Sequence, residues 1–335
     1  MTRFRITAVL ALALWLSIPA CAQEAPVKNP LVLGEYALAK EAVIDGDTIR
    51  VDGLKASLRL LCLDAEETFK NASDRKAATE DFEAYRDAKE ADSDLPVKYA
   101  TFVGEDAKDY AHKFFDGVKT VRLEYDTLNR KIDYFNRNLC YVFATPKNSK
   151  EEKNYNVELV RAGLSPYSMK YGHSTRFRDK FEGAEKEARE AKRGIWAEKP
   201  RGYRDYDKRL KWWKERGDQI EKFEKANKEN KQALVLGDDD TDEKLKANAG
   251  KEMLLFGSII ERDGFFPDEK QPRVMLGNRE KHDFAVRFAD KKVYEAAKPE
   301  KLKGVYVTVK GKLEYDEKYK SWFIVVTEAA AFVKA

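Results

Sequence analysis

Two short segments constrain this chain more than any other feature of it: Ile44-Asp45-Gly46-Asp47-Thr48, and Arg59-Leu60-Leu61-Cys62-Leu63-Asp64-Ala65-Glu66-Glu67-Thr68. Asp-Gly is a turn dipeptide. The apolar-rich runs around it read as strands near 38–51 and 55–63. The reading places three acids and an arginine on two adjacent strand ends. Asp47 and Asp64 can hold a hard divalent cation, and Glu67 can take a proton from water. The planar fork of Arg59 meets two phosphate oxygens at once. Together these groups are what metal-assisted hydrolysis of a phosphodiester requires, because cation and guanidinium neutralise the charge that grows in the transition state. The chain has only 3 His, so an all-oxygen site is expected. Such a site points to Ca²⁺ ahead of Mg²⁺, and away from Zn²⁺.

Taken singly, each residue has a plainer reading. Asp-Gly-Asp is a common hairpin turn, Arg59 fits a surface strand, and Glu66 and Glu67 can open the acidic segment that follows. Arg137 can be one more charge in a basic hairpin. Convergence of all of them on one strand end needs a functional reason.

The motifs continue in order along the chain. Val121-Arg122-Leu123-Glu124-Tyr125-Asp126 follows a helical stretch, then Asp133-Tyr134-Phe135-Asn136-Arg137-Asn138-Leu139-Cys140-Tyr141-Val142. Asn156-Val157-Glu158-Leu159-Val160-Arg161-Ala162-Gly163-Leu164 comes next, and Glu185-Lys186-Glu187-Ala188-Arg189 leads to Gly194-Ile195-Trp196. Over residues 36–198 the chain resembles the staphylococcal nuclease-like (thermonuclease) family. The resemblance implies an α+β fold in which a five-stranded OB-type β-barrel carries three helices. It implies a phosphodiesterase, an endonuclease of DNA and RNA that leaves 3′-phosphates. It casts Arg59 and Arg137 as transition-state arginines, Glu67 as general base, and Asp47, Asp64 and the Ala65 carbonyl as Ca²⁺ ligands with Thr48 beside them. Tyr171 aligns with one of the family's two base-contacting tyrosines. Met169 stands at the other position, and Tyr167 is the tyrosine available to replace it.

Three departures keep a second class of function open, a nuclease-fold module that binds nucleic acid or protein without cutting it. Ala65-Glu66 replaces Thr-Pro between the second aspartate and the base, which puts an extra negative charge beside the expected ion. Phe135 is an extra residue. Asn136 replaces Gly before the second arginine, where Asn tolerates the left-handed conformation better than most residues.

The 335 residues are 36% charged and 43% hydrophobic, enough for two domains with real cores. Net charge is +4, and removal of a segment holding Arg3 and Arg5 leaves +2. No global basic field draws nucleic acid, so phosphate attraction must be local. Arg3 and Arg5, an apolar run from Ile6 to Leu16 and Ser17-Ile18-Pro19-Ala20-Cys21-Ala22 read as a bacterial export signal over 1–22. Cleavage after Ala22 gives a secreted or periplasmic protein, and cleavage before Cys21 gives a membrane-anchored lipoprotein. No stretch is long enough for an integral span, and a monomer is expected. Cys62 and Cys140 read either as a disulfide between the arginine-bearing strands or as two buried core thiols, the second being favoured.

Residues 69–100 form a charged, partly helical insertion longer than the family carries there. Further strands are expected near 119–126 and 138–145, and helices near 105–115, 155–163 and 176–192. Residues 199–249 read as a charged helical segment whose aromatics Tyr203, Tyr206, Trp212, Trp213 and Phe223 either form a basic-aromatic nucleic-acid arm or, the preferred reading, pack on a neighbouring domain, since Glu and Asp are interleaved throughout. Its acidic linker is Gly237–Asp242. From 250 to 335 the alternation of Val305, Val307 and Val309 and the turn near 316–321 predict a second small β-rich domain of OB-like type.

Overall fold

The computed structural model describes residues 29–91, 96–133, 135–259, 264–268, 270–277 and 283–335. The export signal expected over 1–22, with Cys21, lies outside these residues.

The first unit begins with β1 (Val32–Val43), β2 (Thr48–Val51) and β3 (Leu58–Leu60). The strand expected over 38–51 is two strands, because the N–H groups of Ile44 and Asp45 both turn back onto the Thr48 carbonyl, at 3.1 and 3.4 Å. The insertion folds as α1 (Ala72–Glu80) and α2 (Phe82–Glu90), capped by the Asn71 and Asp81 side chains. Such caps satisfy N–H groups that a helix start leaves unpaired. Then come α3 (Phe102–Phe115), β4 (Thr120–Glu124), β5 (Leu139–Ala144), β6 (Lys153–Asn154), α4 (Tyr155–Arg161) and α5 (Arg178–Glu190). The sheet order is β3-β2-β1-β4-β5-β6, and β3 also pairs with β5 in parallel, Arg59 opposite Leu139 and Leu60 opposite Cys140. Five strands thus make a ring of pairings that returns to its start. Ile49, Leu58, Leu60, Leu123 and Val142 are buried, and Ala107, Ala111 and Phe114 of α3 belong to the same core. Cys62 and Cys140 are free thiols. Burial raises the pKa of both.

The long α6 (Tyr206–Ala226) leads to the second unit. It buries Tyr206, Trp213, Ile220 and Phe223, with Phe223 and Phe256 rings 4.8 Å apart, so its aromatics do pack on a neighbour. Next come β7 (Ala233–Val235), α7 (Thr241–Ala247), β8 (Glu252–Ser258), β9 (Phe265–Phe266), β10 (Arg273–Leu276), β11 (Phe284–Phe288), α8 (Lys291–Ala297), β12 (Tyr306–Asp316), β13 (Ser321–Val326) and β14 (Phe332–Lys334). Because β7 pairs with β8, this unit starts near 233 rather than 250. The acidic run at 237–242 is docked rather than free. Asp238 meets Arg130 at 3.3 Å, the Asp239 side chain accepts from the Lys131 N–H at 3.0 Å, and the Asp239 N–H donates to the Asn129 carbonyl at 2.8 Å.

The second sheet runs β7-β8-β12-β13-β11-β10-β9, and an Ile259–Leu276 bridge returns β10 to the end of β8. Its central strands β8, β10, β11, β12 and β13 therefore repeat the first unit's order. First pairs with second, second with third, third with fifth in parallel, fifth with fourth, fourth with first, and a helix lies between third and fourth. Among the described residues no helix is long and apolar enough to cross a membrane.

Candidate active site

The site is built where the β1–β2 turn meets the exit of β3. Gly46 is required there by space, since a Cβ would lie 2.7 Å from the Ala107 Cβ and 3.0 Å from the Ala65 Cβ. Close approach presses the turn against α3 and the post-β3 loop. After β3, Cys62 takes a left-handed backbone, φ 62°. Such a bend in a non-glycine residue is costly and persists only when its surroundings hold it. Here the Ser168 N–H donates to the Cys62 carbonyl at 2.9 Å, and the Asn156 amide donates to the carbonyls of Leu61 at 2.9 Å and Cys140 at 3.2 Å. The Asp64 N–H then reaches the Ser165 hydroxyl at 3.0 Å.

Thr48 pairs with Arg59 across β2 and β3, which sets Asp47 beside the guanidinium. Arg59 binds Asp47 through Nη1, and its Nη2 reaches Asp64 Oδ1 at 3.2 Å and the Leu63 carbonyl at 3.2 Å. The second oxygen of Asp47 accepts the Ala65 N–H at 3.1 Å, and the Thr48 hydroxyl donates to the first at 3.0 Å. Asp47, Thr48, Arg59, Asp64 and Ala65 are thus one constellation, as the sequence predicts. Burial pushes the Asp64 carboxyl up, but Lys98, Arg59 and Lys170 more than offset it and hold Asp64 below its ordinary value. Asp45, which the sequence reading did not single out, goes the other way. Burial and then the Asp47 charge raise it to about 6.

Glu67 stands at the rim of this cluster, with Lys70 at 3.3 Å and Lys98 at 3.8 Å. Glu66 is not beside the carboxylates of the site. Its side chain turns inward, 1% exposed, and accepts from the Thr101 hydroxyl, the Tyr203 N–H at 2.9 Å and the Tyr206 hydroxyl at 2.6 Å. The added charge at this position therefore serves packing of the segment before α6, and burial raises its pKa.

The second arginine lies apart. Asn136 adopts φ 60°, the left-handed turn its side chain permits. Arg137 is clamped in its own hairpin by Asp133, at 2.7 Å through Nε and 2.6 Å through Nη2, with Phe135 under its guanidinium. Among the described residues no ion pair joins Arg137 to Asp47, Asp64 or Glu67. The two tyrosines also separate. Tyr167 is 2% exposed, stacks on Phe181 at 5.1 Å and accepts the Ser174 N–H at 3.0 Å. It lies in a buried run, with Ser165 and Ser168 beside it, and has no free face for a nucleobase. Tyr171 is 63% exposed, with Lys170 over its ring at 5.5 Å.

Lys98 and Lys170 are the cations that sequence reasoning missed. Neither falls in a motif, and Lys98 arrives from the far end of the insertion. A second cluster, His173, Asp218 and Glu221, brings its ligand atoms within 4.8 Å of one another. Its carboxylates also meet Lys214, at 2.5 Å from Asp218, and Arg178, at 3.4 Å from Glu221. Asp47 and Asp64 carry carboxylates, the class of donor that a hard divalent ion takes. The two cations that already sit on them, Arg59 and Lys98, show that this edge attracts positive charge.

The family model described as staphylococcal nuclease homologue matches residues 57–198. An uncharacterized protein of Methanocaldococcus jannaschii is 32% identical over 156 residues, which cover 46% of this chain and 68% of that protein. Endonuclease YncB of Bacillus subtilis is 28% identical over 159 residues, 47% of this chain and 60% of the Bacillus protein. With the acid–arginine constellation inside the matched segment or just before it, the chain belongs to the staphylococcal nuclease homologue family.

Proposed function

We propose that this protein is an exported, Ca²⁺-dependent endonuclease of DNA or RNA that leaves 3′-phosphates, its two strand rings being OB-type barrels. The observation that carries the reading is the bridge of Arg59 between Asp47 and Asp64 with Glu67 at the rim. Asp47, Asp64 and the Ala65 carbonyl would hold the ion. When bound, the ion supplies positive charge to the phosphate and acidifies water near it. Arg59 stabilises the negative charge that develops on the phosphate oxygens. Glu67 accepts the proton of the attacking water. Tyr171 offers an exposed ring against a base. Export rests on the sequence of residues 1–22 and lipidation on Cys21. The endonuclease named among the relatives supports nucleic acid as substrate.

The Asp133–Arg137 clamp favours the second reading, a module that binds nucleic acid without cutting it. Hydrolysis of a fluorescent single-stranded DNA, with Ca²⁺ and with chelator, separates the two. Cleavage that needs Ca²⁺ and falls by about 10²- to 10⁴-fold in Glu67→Gln is the expected result. Binding without cleavage by the unaltered protein sinks the enzyme reading.

A further inference from the structure

Asp64 Oδ1 has two cations on it, Arg59 Nη2 at 3.2 Å and Lys98 Nζ at 2.6 Å. The two are held differently. Arg59 also grips Asp47 and the Leu63 carbonyl, so its fork is fixed by three acceptors. Among the described residues the Lys98 ammonium meets only carboxylates, Asp64 and, at 3.8 Å, Glu67. These are one acid expected to hold the ion and the acid expected to serve as base.

Lys98 does not reach this place by chance of a loose loop, because its backbone is tied on both sides. Arg209 of α6 donates to the Val97 carbonyl at 2.5 Å. The Tyr99 N–H donates to the Tyr203 hydroxyl at 3.1 Å, which in turn donates to the Tyr99 carbonyl at 3.0 Å. The Tyr85 hydroxyl donates to the Ala100 carbonyl at 3.0 Å, and Ala100 bridges to Glu67. The anchors come from the insertion and from the segment after the nuclease fold. They hold the stem while four methylenes leave the ammonium free to swing.

We propose that Lys98 is a tethered cation of the site, seated on Asp64 and Glu67 and displaced from them when a divalent ion enters. This deepens the nuclease reading and rests on its ion site. A divalent ion on Asp64 Oδ1 meets a like charge already there, and at this short range Coulomb repulsion is the dominant cost. Of the two occupants Lys98 is the one that, among the described residues, only these carboxylates hold. The ion must therefore displace the ammonium, which sets a higher threshold of ion concentration than the carboxylates alone would. Once released, the same ammonium lies at the rim, where an incoming phosphate needs charge.

Calorimetric titration of the full chain with CaCl₂ tests this without reference to turnover. Lys98→Met is expected to bind Ca²⁺ about tenfold tighter or more than the unaltered protein, and Asp64→Asn to lose binding. Lys98→Gln gives the same direction should the methionine variant fold poorly. Equal or weaker Ca²⁺ affinity in the Lys98 variants, with Asp64→Asn still losing it, overturns the tethered cation and leaves the ion site standing. No Ca²⁺ heat from any of the proteins overturns the ion site and the competition together. Cleavage by Glu67→Gln reports on the nuclease reading separately.

Discussion

The third strand of each ring carries an arginine, and the two arginines are put to different use. Arg59 in β3 lies opposite Thr48 and bridges two acids that come from a turn and a strand exit. Arg287 in β11 lies opposite Arg273, pairs with one acid, Asp316 at 2.5 Å, and rests on the Phe323 ring at 3.7 Å. The acid that follows the third strand differs as well. In the second ring Asp290 goes directly into α8 as its cap, accepting the Val293 N–H at 3.0 Å. In the first ring the insertion separates β3 from α3, Thr101 takes over the capping, and Asp64 pairs with Arg59 instead. A shared order of strand pairing thus fixes where an arginine and an acid can stand, while the connection after the third strand decides whether the acid caps a helix or pairs with the strand arginine.

The largest effect that can break this comparison is on cleavage. Arg59→Ala is expected to lower the rate by about 10³-fold, and Arg287→Ala to leave it unchanged in the same fluorescent assay. Equal losses from both would mean that the rings share the chemistry. Next in size is stability. Glu66→Ala strands the Thr101, Tyr203 and Tyr206 donors in a dry interior, so a loss of about 3 kcal/mol in urea unfolding is expected. Glu66→Gln tests the sign of its titration. Its folded-state pKa is raised, so its stabilisation is complete at acid pH and fades as pH rises through the folded value. The melting temperature of the unaltered protein should therefore fall, from acid toward neutral pH, more than that of Glu66→Gln. Parallel curves would show that Glu66 keeps an ordinary pKa.

Smaller still is the cap of the second ring. Asp290→Ala should cost about 1 kcal/mol and leave cleavage alone, whereas a loss of activity would give that ring a catalytic share. Smallest is Tyr167→Phe, which removes one buried hydrogen bond, about 1 kcal/mol or less, with KM unmoved. Tyr171→Ala should raise KM, and the reverse pattern would exchange the roles of the two tyrosines.

Much of the first ring was legible because its signals are local. The Asp-Gly-Asp turn, the alternating strands and the helical spacing of α3 to α5 each depend on neighbours in sequence. The cluster of Asp47, Arg59, Asp64 and Glu67 followed from the same short segments. What failed to read out depends on distant partners. Glu66 sits in a motif yet points inward, because its acceptors are met by residues near 203. Asp238 and Asp239 looked like solvated linker until Arg130, Lys131 and Asn129 supplied partners more than 100 residues away. Tyr167 and Tyr171 look alike in sequence, but one faces Phe181 and the other solvent. Lys98 carries no pattern at all, since only the path of the insertion brings it home.

The tyrosines that hold Glu66 bear on where the folded unit of the site ends. Tyr203 and Tyr206 lie beyond residue 198, the last that the family model matches. A fragment cut after residue 198 would keep every residue of the acid–arginine cluster and lose the floor under Glu66 and the ties of Arg209 and Tyr203 on both sides of Lys98. The folded unit around the site is therefore longer than the unit of kinship. A deletion or protease nick just after residue 198 should silence the protein while leaving its recognisable motifs whole.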